Sequence, residues 1–135
     1  MKYDLVGLLA NVMKQAGIND IKNRSVDNHS IICLNMKNEL PAVYLHEEEE
    51  HVWIWSSLGE YHVQRLAFNS EHIIEVLMQN KEAFFYFGQP ALHVVNGMLE
   101  LRAQITEIAL QSPFTFNDML DRFLLSVQTF SAVIK

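Results

Sequence analysis

HEEEEHVWIWSSLG, residues 46–59, sets two histidines around four consecutive glutamates and then runs straight into Val52, Trp53, Ile54 and Trp55. Read as a helix, the stretch offers a metal-binding motif; read as strand, turn and strand, it opens a sheet. The zincin motif needs its histidines four residues apart, so that both rings leave one helical face beside a glutamate. His46 and His51 are five apart, which turns them about 140° from each other on a helix. The spacing fails. The residues after His51 are β-branched and aromatic, the composition of a strand. The four carboxylates then read as the solvated tip of a hairpin, a device that also blunts aggregation. Along that strand Val52 and Ile54 point to one face and Trp53 and Trp55 to the other. Both faces are apolar, so helices or a partner must cover each of them.

Working outward, Ile31 to Met36 and Ala42 to Glu47 have the same character as His51 to Ser57 and are separated by KNELP and by the acidic run. They predict three successive antiparallel strands. Upstream, Leu5, Leu8, Leu9, Val12, Met13 and Ala16 make one helical stripe over about residues 3 to 16, with Asp4 favouring its start and Gly17 its end. Residues 18 to 30 are polar and turn-rich and read as a loop. Downstream, Val63, Leu66, Ser70, Ile73, Ile74, Leu77 and Met78 predict a second helix within Tyr61 to Asn80, unless Asn69 or Ser70 caps a shorter one. AFFYF, residues 83–87, reads as a short strand. Gln89 to Val95 and Met98 to Ile105 form a hairpin across Asn96-Gly97. After Ser112-Pro113, Thr115 or Asn117 caps a last helix to about residue 133, whose stripe runs through Phe116, Leu120, Phe123, Val127 and Phe130. The expected order is helix, three antiparallel strands, helix, two to three strands, helix: an α+β fold.

At 135 residues the chain is expected to form a single domain, 1–135, with a core of its own. Half of it is hydrophobic, more than a small core needs, and that surplus points to a partner surface or self-association. Sixteen acidic against ten basic residues give a formal charge of -6, the wrong sign for a phosphate backbone. Nucleic acid is therefore not expected. Cys33, the single cysteine, excludes an intrachain disulfide and fits a reducing cytosol. The first seventeen residues lack the unbroken apolar run of a signal peptide, and no stretch is long enough to cross a bilayer. The reading is a cytoplasmic protein without membrane insertion.

Catalytic chemistry finds few footholds. His29 could be oriented by Asp27 beside Ser30, but triads gather side chains from distant parts of a chain, and DNHS reads better as a hydrogen-bonded turn. His62, His72 and His93 have no acidic or cysteine neighbours at ligand spacing. Cys33 sits in an apolar strand with nothing nearby to lower its pKa. The five glycines are scattered singly, so there is no phosphate loop. The enzyme alternative is a small metal-dependent hydrolase built on His29, His46, His51 and the acidic turn. Otherwise no metal and no cofactor is expected.

DNHSIICL, then ELPAVYL, an acidic turn, VWIWSSLG and a helix together resemble the class IB type III secretion chaperones of the InvB/SpaK family. The likeness is densest over residues 26 to 80 and continues in the Asn96-Gly97 hairpin, the length, the acidic charge and the final helix. The resemblance implies a type III secretion chaperone-like fold and no catalysis. It implies a bacterial cytoplasmic homodimer that holds the amino-terminal segment of secreted effectors extended and delivers it to the export apparatus, either its ATPase or a sorting platform. Strand addition and pocket filling would supply the binding. On this reading Leu5, Leu9, Ile32, Leu34, Val43 and Leu45 line the effector groove, and Val63, Leu66, Ile73 and Leu77 form the dimer contact.

Overall fold

A computed structural model describes residues 4–12, 18–21, 31–37, 39–79 and 81–134. Its elements in chain order are α1 (Leu5–Val12), β1 (Ile18–Ile21), β2 (Ile32–Met36), β3 (Val43–Glu48), β4 (His51–Glu60), α2 (Val63–Phe68), α3 (Ser70–Met78), a 3-10 turn (Tyr86–Gly88), β5 (Ala91–Val95), β6 (Met98–Ile105), α4 (Glu107–Leu110) and α5 (Pro113–Ile134). All strand pairs are antiparallel, in the order β1-β2-β3-β4-β6-β5. The expected α+β order holds, with one strand more than expected at the front. Ile18–Ile21 lies in the segment read as a loop and pairs with β2 as an edge strand. Its polar letters gave no alternation, and only pairing with a neighbour makes such a stretch a strand.

The acidic run turns as its length dictates. Glu48 pairs with His51, leaving Glu49 and Glu50 as a two-residue loop with φ of 52° and 66°, the left-handed geometry that matches the twist of a hairpin. The Glu47 Oε1 accepts the Glu50 N–H at 3.0 Å, so one of the four glutamates staples the turn from a buried position. The second hairpin turns at Asn96 and Gly97, with φ of 51° and 80°, as the dipeptide predicts.

Strand alternation sorts the sheet into two faces. Ile32, Leu34, Val43, Leu45, Val52, Ile54, Leu101, Ala103 and Ile105 are buried on one face. Across them runs α5, whose Phe116, Met119, Leu120, Phe123, Val127 and Phe130 fall at helical spacing and are also buried. Leu5 and Leu9 of α1 join the same cluster. α1, α3 and α4 all pack on α5, and α2 follows α3. The described helices thus form one layer on one side of the sheet. Asp4 caps α1, accepting the Gly7 N–H at 3.1 Å, as expected; Gly17 lies outside the described residues. The start of α5 differs from expectation: Ser112 is the cap, with its hydroxyl accepting the Thr115 N–H while the Thr115 hydroxyl accepts the Ser112 N–H, both at 3.2 Å. Pro113 then occupies the first helical position, where its missing N–H costs nothing.

Of the alternatives for the second helix the one with a start at Ser70 is found, and one other expectation changes. The second helix is interrupted at Asn69, whose side chain donates to the carbonyls of Arg65 at 2.9 Å and Ile134 at 3.3 Å. That side chain ties the α2–α3 junction to the end of α5. Residues 83–87 give a single bridge, Phe85 to Ile105, and then the 3-10 turn, in which Phe87 has φ 62°. The carbonyls of Ala83 and Phe84 accept from the Thr106 hydroxyl at 2.7 Å and the Thr106 N–H at 2.9 Å, which ends strand pairing there.

Candidate functional site

The second face of the sheet has an aromatic centre. Register aligns Cys33 with Tyr44, Tyr44 with Trp55, and Trp55 with Arg102. The Tyr44 and Trp55 rings stack at 5.6 Å and 14°, and the Arg102 guanidinium lies 4.7 Å from the Trp55 ring centroid. Glu100 fixes that guanidinium: its Oε1 accepts from Nε and Nη2, each at 2.9 Å. The phenol and indole rings stack and the guanidinium lies over the indole, an arrangement in which both aromatic stacking and cation–π attraction operate.

One row nearer the acidic tip, Trp53 sits between His46 and Gln104. The Gln104 amide meets His51 Nδ1 at 2.8 Å. Tyr44 and both tryptophans are half-buried, and no described helix lies over them. The Tyr44 phenol is raised above its ordinary pKa, first by its electrostatic interaction with Cys33, then by burial and by their hydrogen bond. The phenol is therefore held in its neutral, donating form.

The residues expected to bind an effector are placed elsewhere. Leu5, Leu9, Ile32, Leu34, Val43 and Leu45 are each 0–1% exposed and belong to the core between sheet and helices. In this structure α5 packs over those side chains. Of the expected dimer residues, Val63 is exposed, Leu66 and Leu77 are half-buried, and Ile73 is buried in the core. Phe68 of α2 and Ile74 and Met78 of α3 are exposed, as Val63 is. The break at Asn69, one of the two alternatives the sequence offered, restarts the helical phase, so that Ile73 is buried and Ile74 exposed.

His46 and His51 both rise from the aromatic face, whereas His29 and Asp27 lie outside the described residues. Among the described residues no three His, Cys, Asp or Glu side chains stand together in a way that would hold a metal ion. His46 Nδ1 is buried without a hydrogen-bond partner. No described helix is long and apolar enough to cross a membrane.

Sheet and helices thus define a class, a one-sided α+β sandwich with an aromatic sheet face outside the helical layer. Residues 17–96 match the Invasion protein B family, and the chain belongs to that family, the InvB/SpaK group of type III secretion chaperones that its sequence resembles. The chain is 27% identical over 128 residues to the surface presentation of antigens protein SpaK of Salmonella typhimurium, covering 95% of this chain and 93% of that protein. The SpaK protein of Salmonella typhi gives the same figures.

Proposed function

We propose that residues 1–135 act as one domain, a bacterial cytoplasmic chaperone that binds the amino-terminal segment of secreted effectors and keeps it extended and ready for export. The aromatic sheet face supports this reading. Tyr44, Trp53 and Trp55 offer a broad π surface at low entropic cost, because each side chain has only two soft torsions and the stack already holds two of them. An extended segment laid across that face would fill the spaces between rings with alternate side chains, and backbone hydrogen bonds would accept many sequences. The client site in this reading is therefore the face opposite the helices.

The active unit is a homodimer formed by the outward side of α2 and α3, with Val63 joined by Phe68, Ile74 and Met78. Four apolar side chains exposed on two adjoining short helices are more than an isolated surface normally carries. The loaded dimer would then pass its client to the export ATPase or sorting platform. Neither step requires a metal or cofactor of the chaperone. Membership of the Invasion protein B family supports the type III secretion setting.

The deciding experiment is native purification of the tagged protein from its own host, with identification of the proteins that accompany it. Secreted proteins held through a segment near their amino termini, at two chaperone chains per client, are the expected result. Recovery of the bare protein under secretion-inducing conditions would overturn the proposal.

A further inference from the structure

A second set of exposed apolar side chains lies on the loop before β5 and at the start of α4 and α5, and it is built differently. Phe87 is 99% exposed and Phe114 80%, with Tyr86 and Ile108 also exposed. Phe87 is not on a loose loop. The Glu82 N–H donates to the Gly88 carbonyl at 2.7 Å and the Gly88 N–H to the Phe85 carbonyl at 3.0 Å, while the two bonds from Thr106 tie the same loop to the start of α4.

Beside Tyr86 is a cavity of about 190 Å³. Val52, Ile105 and Leu110, nearly buried, close its base beside the exposed Tyr86 ring, and its rim carries the carboxyl groups of Glu49, Glu50 and Glu107 beside His51 and Gln104, with no lysine or arginine among the lining residues. An aliphatic stem with a cationic end matches both parts: the stem lies against the Tyr86 ring and the charge sits among carboxylates. Nucleic acid and anionic membranes would meet the wrong sign of field here.

We propose that this surface docks a basic, apolar protein segment, in which a lysine or arginine enters the cavity at Tyr86 and neighbouring apolar side chains pack on Phe87 and Phe114. The surface meets the face assigned to the client at His51 and Gln104 and extends from there to Tyr86 and the start of α4. Its partner is recognised by positive charge alternating with apolar side chains.

The test titrates the full-length protein with a synthetic peptide of alternating lysine and leucine, and with the counterpart carrying glutamate for lysine, while backbone amide shifts are followed by NMR. Expected are shifts at residues 49–51, 86–88 and 104–110 with the lysine peptide only. Phe87→Gly and Glu50→Lys should each weaken binding at least tenfold, and Val63→Ser should leave it unchanged. Gly tolerates the positive φ at position 87, so Phe87→Gly keeps the fold, and its thermal midpoint confirms that. Shifts centred elsewhere, equal binding of the glutamate peptide, no binding, or unaltered affinity in Phe87→Gly would each overturn the proposal. So would a change of oligomeric state in Phe87→Gly, which would make the patch a contact between copies of this chain.

Discussion

Trp55→Ala separates the client face from the core. In the folded protein the substitution removes one stacked ring pair at 5.6 Å and one guanidinium contact at 4.7 Å. The first is worth about 1 kcal/mol beyond its buried area and the second about 0.5–1 kcal/mol for a partly exposed site. These two contacts are together worth about 1.5–2 kcal/mol, and the ring's buried apolar area adds to the loss measured by urea unfolding. Leu34→Ala, at a fully buried position, should cost about 2–5 kcal/mol through lost transfer energy and a residual cavity. Client binding should tell the two variants apart. Truncating a central aromatic anchor costs about 2 kcal/mol or more, roughly 30-fold in Kd, read by fluorescence anisotropy of a labelled amino-terminal client segment. Leu34→Ala, measured at a temperature where it is fully folded, should bind within about threefold of wild type, well inside the 1.4 kcal/mol that marks tenfold. The reverse pattern, with Trp55→Ala binding normally and folded Leu34→Ala failing, would refute the assignment and return the client to the helical side.

Phe87→Gly should raise stability by about 0.5–1 kcal/mol, since it exchanges a left-handed strain of about 1–2 kcal/mol for the smaller entropic cost of glycine; a lower thermal midpoint would contradict that. Asn69→Ala removes two side-chain bonds to main-chain carbonyls and should cost about 1 kcal/mol, with faster amide exchange at the end of α5. The Asp121 carboxyl is raised above its ordinary pKa by burial, then by the nearby Asp118, against a smaller opposing effect of Arg122. A folded-state pKa above the unfolded one gives stability that is full below the unfolded pKa of 3.8 and lost as pH rises through the folded value. Asp121→Asn should therefore raise the thermal midpoint at pH 7, and the gain should shrink as the pH falls through that range. For Tyr44, also raised, the same sign places the loss at alkaline pH, and Cys33→Ala should let tyrosinate form at lower pH in ultraviolet difference spectra.

The sheet was legible because its strands alternate with period two and its turns use residues of known geometry. Val52 and Ile54 against Trp53 and Trp55 gave two faces, and the structure puts the first pair in the core and leaves the second outside the helical layer. The Asn96-Gly97 turn and the stripe of α5 were equally readable. Burial assignment was where pattern reading stopped: Leu34 and Trp55 are both apolar strand residues, and only the position of α5 decides which of them is inside. The break at Asn69 was visible as an alternative cap, but its consequence for Ile73 and Ile74 depends on a carbonyl 65 residues away. β1 was missed because INDI carries no apolar alternation, and Phe87 because no local rule places a phenylalanine in a left-handed turn. The cavity at Tyr86 joins residues from both hairpins and α4, a juxtaposition no linear motif records.

The place of α5 in the chain order has a consequence for synthesis. It supplies seven buried side chains of the core, yet it follows every strand. At about 5–20 residues per second, its 22 residues take roughly one to four seconds to translate. During that interval the face bearing Ile32, Leu34, Leu45 and Ile54 has no lid, and its hydrophobic surface is open to other chains. A nascent copy is thus itself a client in need of protection until its last helix emerges, and a stop codon before residue 113 should yield aggregate instead of a shorter chaperone.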